Sequence, residues 1–105
     1  MRKKDSGKNI EHDLDQVKRL VLKGLLGHDA QVFLFGSHAT GKAGRASDID
    51  VAVLPVRELP AGLLSRIRES LQESYVPFSV ELVDLSQTDE AFRERVLAEG
   101  IIWTV

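Results

Sequence analysis

Cysteine is absent from the 105 residues, which excludes a disulfide framework, a thiolate zinc site and a cysteine nucleophile and is compatible with a reducing cytoplasm. Long apolar runs are absent too. Runs such as Val51 to Leu54 fall far short of the roughly twenty residues that span a bilayer. The basic stretch Met1 to Lys8 leads into Glu11, His12, Asp13 and Asp15 rather than a signal-peptide core. The expectation is a soluble chain with no membrane contact, carrying a flexible basic tail over residues 1–9. An excess of positive charge is also missing: 14 basic residues stand against 16 acidic ones, a formal charge of −2, which excludes a generic polyanion binder. Aromatics are few, and Phe33, Phe35, Phe78 and Phe92 fall at core-packing positions rather than forming an array on which bases would stack. What is present, 43% hydrophobic and 29% charged residues, suits one folded domain over residues 10–105 and excludes a mostly disordered chain. So short a chain buries only about two thirds of its unfolded surface, which leaves room for an apolar patch that meets a partner.

Hydrophobic periodicity divides this domain into alternating elements. Leu14, Val17, Val21 and Leu25 form the stripe of an amphipathic helix that stops near Gly27. Val32 to Phe35 is a β-prone run ended by Gly36; Ser37 to Ala46, with Gly41 and Gly44, reads as loop with room for one helical turn. Asp48 to Leu54 predicts a second strand closed by Pro55, and Leu63, Leu64, Ile67 and Leu71 predict a second long helix within Leu59 to Tyr75. A third strand is expected over Phe78 to Leu85, and a helix bearing Phe92, Val96 and Leu97 that Thr88 can cap. After Gly100, Ile101 to Val105 reads as an edge strand or a partner-facing tail, with Trp103 suited either to an interface or to the core. The order α-β-β-α-β-α-β gives an α/β (α+β) fold: a small mixed sheet with helices covering one face.

Chemistry concentrates between Gly36 and Asp50. Asp48 and Asp50 stand at i and i+2 on a strand, so both carboxylates share one face while Ile49, Val51 and Val53 turn to the other. Two adjacent carboxylates repel unless a cation sits between them, and a hard divalent ion with oxygen ligands such as Mg²⁺ meets that need. Asp-x-Asp also occurs on solvated strand faces and at turns. Gly36-Ser37, directly after a strand, lets backbone amides and a hydroxyl approach phosphate oxygens, although the pair equally suits a turn and a helix cap.

Gly36-Ser37, ten intervening residues and then Asp48-Ile49-Asp50 resembles the Gly-Ser-x10-Asp-x-Asp motif of the nucleotidyltransferase superfamily related to DNA polymerase β. The run GSHATGKAGRASDIDVAVL is similar to the minimal nucleotidyltransferases, small proteins that often pair with a HEPN-domain protein. The resemblance implies a nucleotidyltransferase fold and Mg²⁺-dependent transfer of a nucleoside monophosphate, AMP from ATP, to a hydroxyl acceptor. It also implies an antitoxin role, the acceptor lying on a HEPN-domain toxin. Asp48 and Asp50 would then be catalytic metal ligands, and a third carboxylate would come from the following strand. There, strand parity puts Ser79, Glu81 and Val83 on one face, which makes Glu81 the candidate ligand and general base; Asp84, at the strand end, ranks second. Gly36 and Ser37 would hold the triphosphate, with Lys42 and Arg45 as candidate phosphate contacts, although basic residues on a glycine-containing loop are often simply solvated. Relatives commonly carry arginine soon after Gly-Ser, where His38 and Thr40 stand here.

Other features have bland readings. His12 and His28 lack partners at metal-ligand spacing, and Arg66, Arg68, Glu69 and Glu73 look like the solvated face of the second long helix. A nucleic acid is not expected as a direct partner, since no basic stripe and no template-binding domain is evident. The alternative function is a catalytically inactive nucleotide- or partner-binding module that neutralises a HEPN protein by contact alone. No second domain remains to complete the acceptor side, so the acceptor surface is expected from another protein or from a second copy in a homo-oligomer.

Overall fold

A computed structural model describes residues 6–44 and 47–104. In chain order the elements are α1 (Ser6–Gly24), β1 (Ala30–Phe35), α2 (Ser37–Thr40), β2 (Ile49–Pro55), α3 (Leu63–Gln72), β3 (Val80–Asp84), α4 (Glu90–Glu99) and β4 (Ile101–Trp103). A 3-10 turn, Leu85–Gln87, joins β3 to the segment before α4. The element order matches the one read from periodicity, with α2 as the extra helical turn. Of the expected N-terminal tail, residues 1–5 lie outside the described residues, and the chain is already helical from Ser6. Among the described residues no helix is long and apolar enough to cross a membrane.

The four strands form one mixed sheet in the order β3-β2-β1-β4. β1 pairs antiparallel with both β2 and β4, and β2 pairs parallel with β3. That parallel step requires a crossover, which α3 supplies. Because side chains alternate along a strand, β2 sorts its residues onto two different surfaces. Ile49, Val51 and Val53 are fully buried and pack with Val32 and Leu34 of β1, Val17 and Val21 of α1, and Leu63, Ile67 and Leu71 of α3. The two long helices therefore cover this face, and each such side chain contributes roughly 1.5–3 kcal/mol relative to exposure. Close packing of α1 on α3 depends on Gly24, where a Cβ would stand only 2.5 Å from Cγ1 of Ile67.

The opposite parity builds a second, smaller cluster. Phe33, Ala52, Leu85 and Val96 form it, with Phe35, Leu54, Val83 and Phe92 partly buried around it. The helix over this face is α4, in addition to the two on the first face. Trp103, expected at either the core or an interface, belongs to the main core. Two local expectations change. Asp89, not Thr88, caps α4: its Oδ1 accepts from the Phe92 amide at 2.8 Å, while the Thr88 hydroxyl donates to the Leu85 carbonyl at 3.0 Å. Arg68 is not a bystander on a solvated face. Its guanidinium donates through Nε and Nη2 to the Leu82 carbonyl, at 3.3 and 2.8 Å, and so satisfies an acceptor on edge strand β3 and ties α3 to it.

Candidate functional site

At one end of the second face, the sheet brings three chain segments together. β1 ends at Phe35, which lies opposite Asp50 across the antiparallel ladder; Asp50 in turn lies opposite Glu81 across the parallel one. Asp48 precedes β2 by one residue, and the Ile49 amide donates to the Ser79 carbonyl at 2.9 Å, holding the start of β2 beside the approach to β3. Asp50 and Glu81 thus share one face, as strand parity predicts, and Asp48, just ahead of the strand, stands near enough for its charge to act on Asp50.

The corner after β1 explains why glycine precedes serine here. Gly36 has φ 76° and ψ −155°, a region open to glycine and strained for other residues. The position is also crowded, because a Cβ on Gly36 would run into the carboxylate of Asp50. Glycine therefore serves both the turn and the acid: the Asp50 carboxylate lies against bare backbone where any side chain would displace it. Immediately beyond, Ser37 begins α2, whose first amides have no partner within the helix. The Ala39 and Thr40 amides donate to the Gly36 carbonyl at 3.0 and 3.2 Å.

Electrostatically the site is loaded with like charge. The Asp50 carboxyl is pushed above its ordinary value of 3.8 by partial burial first, then by the charge of Glu81, then by that of Asp48, with His38 pulling the other way. Relief of this repulsion is what a cation would supply, and three carboxylates are the oxygen donors that a hard divalent ion takes. Among the described residues no group of three histidine, aspartate or glutamate side chains is drawn close enough to enclose a metal ion. The donor chemistry suits Mg²⁺, while the carboxylates stand open rather than closed around one point.

His38 has a role that sequence reasoning missed. Its Nε2 lies 3.2 Å from the Ser47 carbonyl, and since a carbonyl only accepts, this nitrogen carries the proton. The imidazole also meets Phe78 edge to face, with ring centroids 6.0 Å apart. One side chain thus joins α2, the residue before Asp48 and the approach to β3. The loop is further tied by the Gly44 amide donating to Ser47 Oγ at 2.7 Å and the Lys42 amide donating to the Ser37 carbonyl at 3.0 Å. Histidine one residue beyond Gly-Ser was the available signal, but its bond spans nine residues and depends on how the loop folds.

The remaining candidates separate. Asp84 is occupied elsewhere: its Oδ1 accepts from the Ser86 amide at 2.9 Å and the Ser86 hydroxyl at 2.6 Å, capping the 3-10 turn, whereas Glu81 lies opposite Asp50. Lys42 lines a cavity of about 450 Å³ with Gly36, Ser37 and Thr40 on one side and Phe92, Arg95, Val96 and Glu99 of α4 on the other. Arg45 lies outside the described residues. Phe92 and Arg95, unmarked by any motif, reach this cavity because α4 folds back over β1, where Phe35 and Phe92 stack edge to face at 5.7 Å.

Comparison with known proteins agrees with this geometry. Over 66 residues the chain is 39% identical to a protein from Haemophilus influenzae described as "Probable protein adenylyltransferase MntA", a match covering 63% of this chain and 58% of that protein. This chain therefore spans less than two thirds of the length of that curated relative. A solved toxin-antitoxin structure with AMP-PNP contains a chain 28% identical to this one, with a TM-score of 0.66, covering 83% of this chain and 72% of the other. A complex of tri-AMPylated Shewanella oneidensis HEPN toxin with MNT antitoxin contains a chain of the same fold, at TM-score 0.65 and 22% identity, covering 90% of this chain and 71% of the other. Residues 28–103, from the loop before β1 to the end of β4, match the family described as "Polymerase beta, Nucleotidyltransferase", and the chain belongs to that family.

Proposed function

We propose that this protein is an Mg²⁺-dependent nucleotidyltransferase that moves AMP from ATP onto a hydroxyl of a HEPN-domain partner and thereby acts as its antitoxin. The observation that carries the reading is the contact between Asp50 and the glycine corner. It places a carboxylate under like-charge stress from Glu81 and Asp48 directly against the backbone that leads into Ser37. One of the acids that would hold a cation lies against the corner that would hold phosphates. Family membership supports the reaction class, and likeness to proteins of toxin-antitoxin complexes supports the partner.

In this reading Asp48, Asp50 and Glu81 would hold Mg²⁺, which would supply positive charge to offset that developing on the phosphoryl oxygens. Ser37 and the free amides of α2 bind the phosphate chain from the other side, with Lys42 at the cavity wall. The acceptor oxygen forms a bond to the α-phosphorus as the bond to the bridging oxygen of the β-phosphate breaks, so pyrophosphate departs. Glu81, opposite Asp50 on the outer strand, takes the acceptor's proton. His38 positions Asp48 through the Ser47 carbonyl. ATP and Mg²⁺ are both supplied in the cytoplasm, which is where we place the reaction.

The test incubates the protein with Mg²⁺, each α-labelled nucleoside triphosphate and a HEPN-domain protein from a neighbouring reading frame. Label passing from ATP to the partner, and disappearing with Asp48→Asn, is the expected result. Label absent with every nucleotide, or toxin neutralisation undiminished in Asp48→Asn, would leave a module that works by contact alone.

A further inference from the structure

The cavity beside Gly36 and Ser37 has a wall from α4 that carries chemistry the Gly-Ser and Asp-x-Asp segments do not contain. The Arg95 guanidinium carbon lies 6.0 Å from the centroid of the Phe92 ring, and Phe92 is itself fixed edge-on against Phe35. Resting on an aromatic ring narrows the positions available to an otherwise exposed guanidinium. Among the described residues, the ion pairs within 4.0 Å are Asp15 with Arg19 and Asp29 with Arg57, so Arg95 enters the cavity without a carboxylate on its fork. Across the space stand the Ser37 and Thr40 side chains and Lys42, with Glu99 completing the lining. Two cations against one carboxylate, with the Ser37 hydroxyl, make a wall suited to an anion with several oxygen acceptors, while the Thr40 hydroxyl already donates to the Gly36 carbonyl at 3.3 Å. At about 450 Å³ the cavity also falls within the range of small-ligand sites, roughly 300–1,000 Å³.

We propose that Arg95 binds the terminal phosphates of the nucleoside triphosphate and so sets the preference for a three-phosphate chain over shorter ones. The inference rests on the nucleotidyltransferase reading above. If the reacting α-phosphorus lies at Asp48 and Asp50, the chain passes Gly36 and Ser37 and its end enters the space between α2 and α4. There the planar guanidinium can engage two oxygens at once, which an ammonium cannot reproduce. Arg95 is thus a binding residue for the leaving end of the substrate, remote from the atom that reacts.

Calorimetric titration of the intact protein with Mg²⁺ and ATP, AMP or inorganic tripolyphosphate tests this. The variants are Arg95→Ala, Arg95→Lys and, as a charge-matched control on the other face of the sheet, Arg66→Ala. Loss of a charge-assisted bidentate contact should weaken ATP and tripolyphosphate about ten- to a hundredfold in Arg95→Ala, while AMP changes less than about twofold and Arg66→Ala changes none of the three. Arg95→Lys should recover only part of the loss, and in the transfer assay KM for ATP should rise far more than kcat falls. ATP affinity unchanged in Arg95→Ala, or AMP weakened as much as ATP, overturns the assignment of Arg95 and leaves the proposed function standing. A wild-type protein that binds none of the three overturns both.

Discussion

The two faces of the sheet are built from the same strands and differ in almost everything else. On one, Ile49, Val51 and Val53 are fully buried beneath α1 and α3. On the other, Asp50, Ala52 and Leu54 alternate with them; Ala52 is sealed by α4 and its neighbours, whereas Asp50 is left half-open beside Glu81 and Asp48. The difference is one of priorities. Stability is concentrated where apolar side chains interlock, and unfavourable charge is accumulated where the sheet can tolerate it, at the end of the less covered face. A site that stores repulsion needs a scaffold that does not depend on it.

The comparison breaks first, and most severely, through chemistry. Asp48→Asn or Asp50→Asn should reduce transfer by about 10²–10³-fold or more, the scale of losing an electrostatic stabiliser from an active site, with an unchanged circular dichroism spectrum. On the buried face the reverse holds. Ile49→Ala, one residue away from both acids, should cost about 2–5 kcal/mol in urea denaturation, as for other large-to-small core changes. Gly36→Ala tests the joint between the two: at φ 76° and against the Asp50 carboxylate it should cost about 1–3 kcal/mol of strain and also abolish transfer. A variant that lost stability but kept full transfer would show that Asp50 can move aside.

A subtler effect is predicted for pH. The folded protein holds the Asp50 proton to a higher pH than the unfolded chain does, so the stability that this one group contributes is present below 3.8 and is lost as pH rises through the raised value. Asp50→Asn cannot ionise and escapes that loss. The melting temperature of Asp50→Asn relative to wild type, both without metal, should therefore increase between acidic and neutral pH, and Mg²⁺ should narrow the gap by stabilising only the wild type. The smallest effect expected is at the sheet edge, where Arg68→Ala removes the donor to the Leu82 carbonyl. Water can replace it there, which limits the cost to about 1 kcal/mol.

Much of this architecture was legible in the sequence because it rests on local patterning. The 3.6-residue stripe of α1 and α3 and the two-residue alternation of β2 were enough to place Ile49 and Asp50 on opposite faces, and parity alone chose Glu81 over Asp84. What escaped depended on contacts between distant segments. Arg68 looked solvated because its acceptor lies 14 residues away on β3, and the sequence marked His38 only as standing where relatives carry arginine, because its acceptor, Ser47, is brought near by a folded loop. Arg95 belongs to a helix whose approach to Gly36 is decided by Phe35 meeting Phe92. Helix capping failed for a different reason. Thr88 and Asp89 are both good caps, and the choice fell to the residue that the preceding 3-10 turn left free.

The central claim is that Asp50, Asp48 and Glu81 act as one charged group awaiting a cation. Measuring the Asp50 carboxyl by ¹³C NMR across a pH titration, without and then with Mg²⁺, tests it most directly. The account predicts a titration above 3.8 in the free protein that moves down when Mg²⁺ is added and moves down without it in Glu81→Gln. An Asp50 that titrates at its ordinary value and ignores both the metal and Glu81→Gln would contradict it.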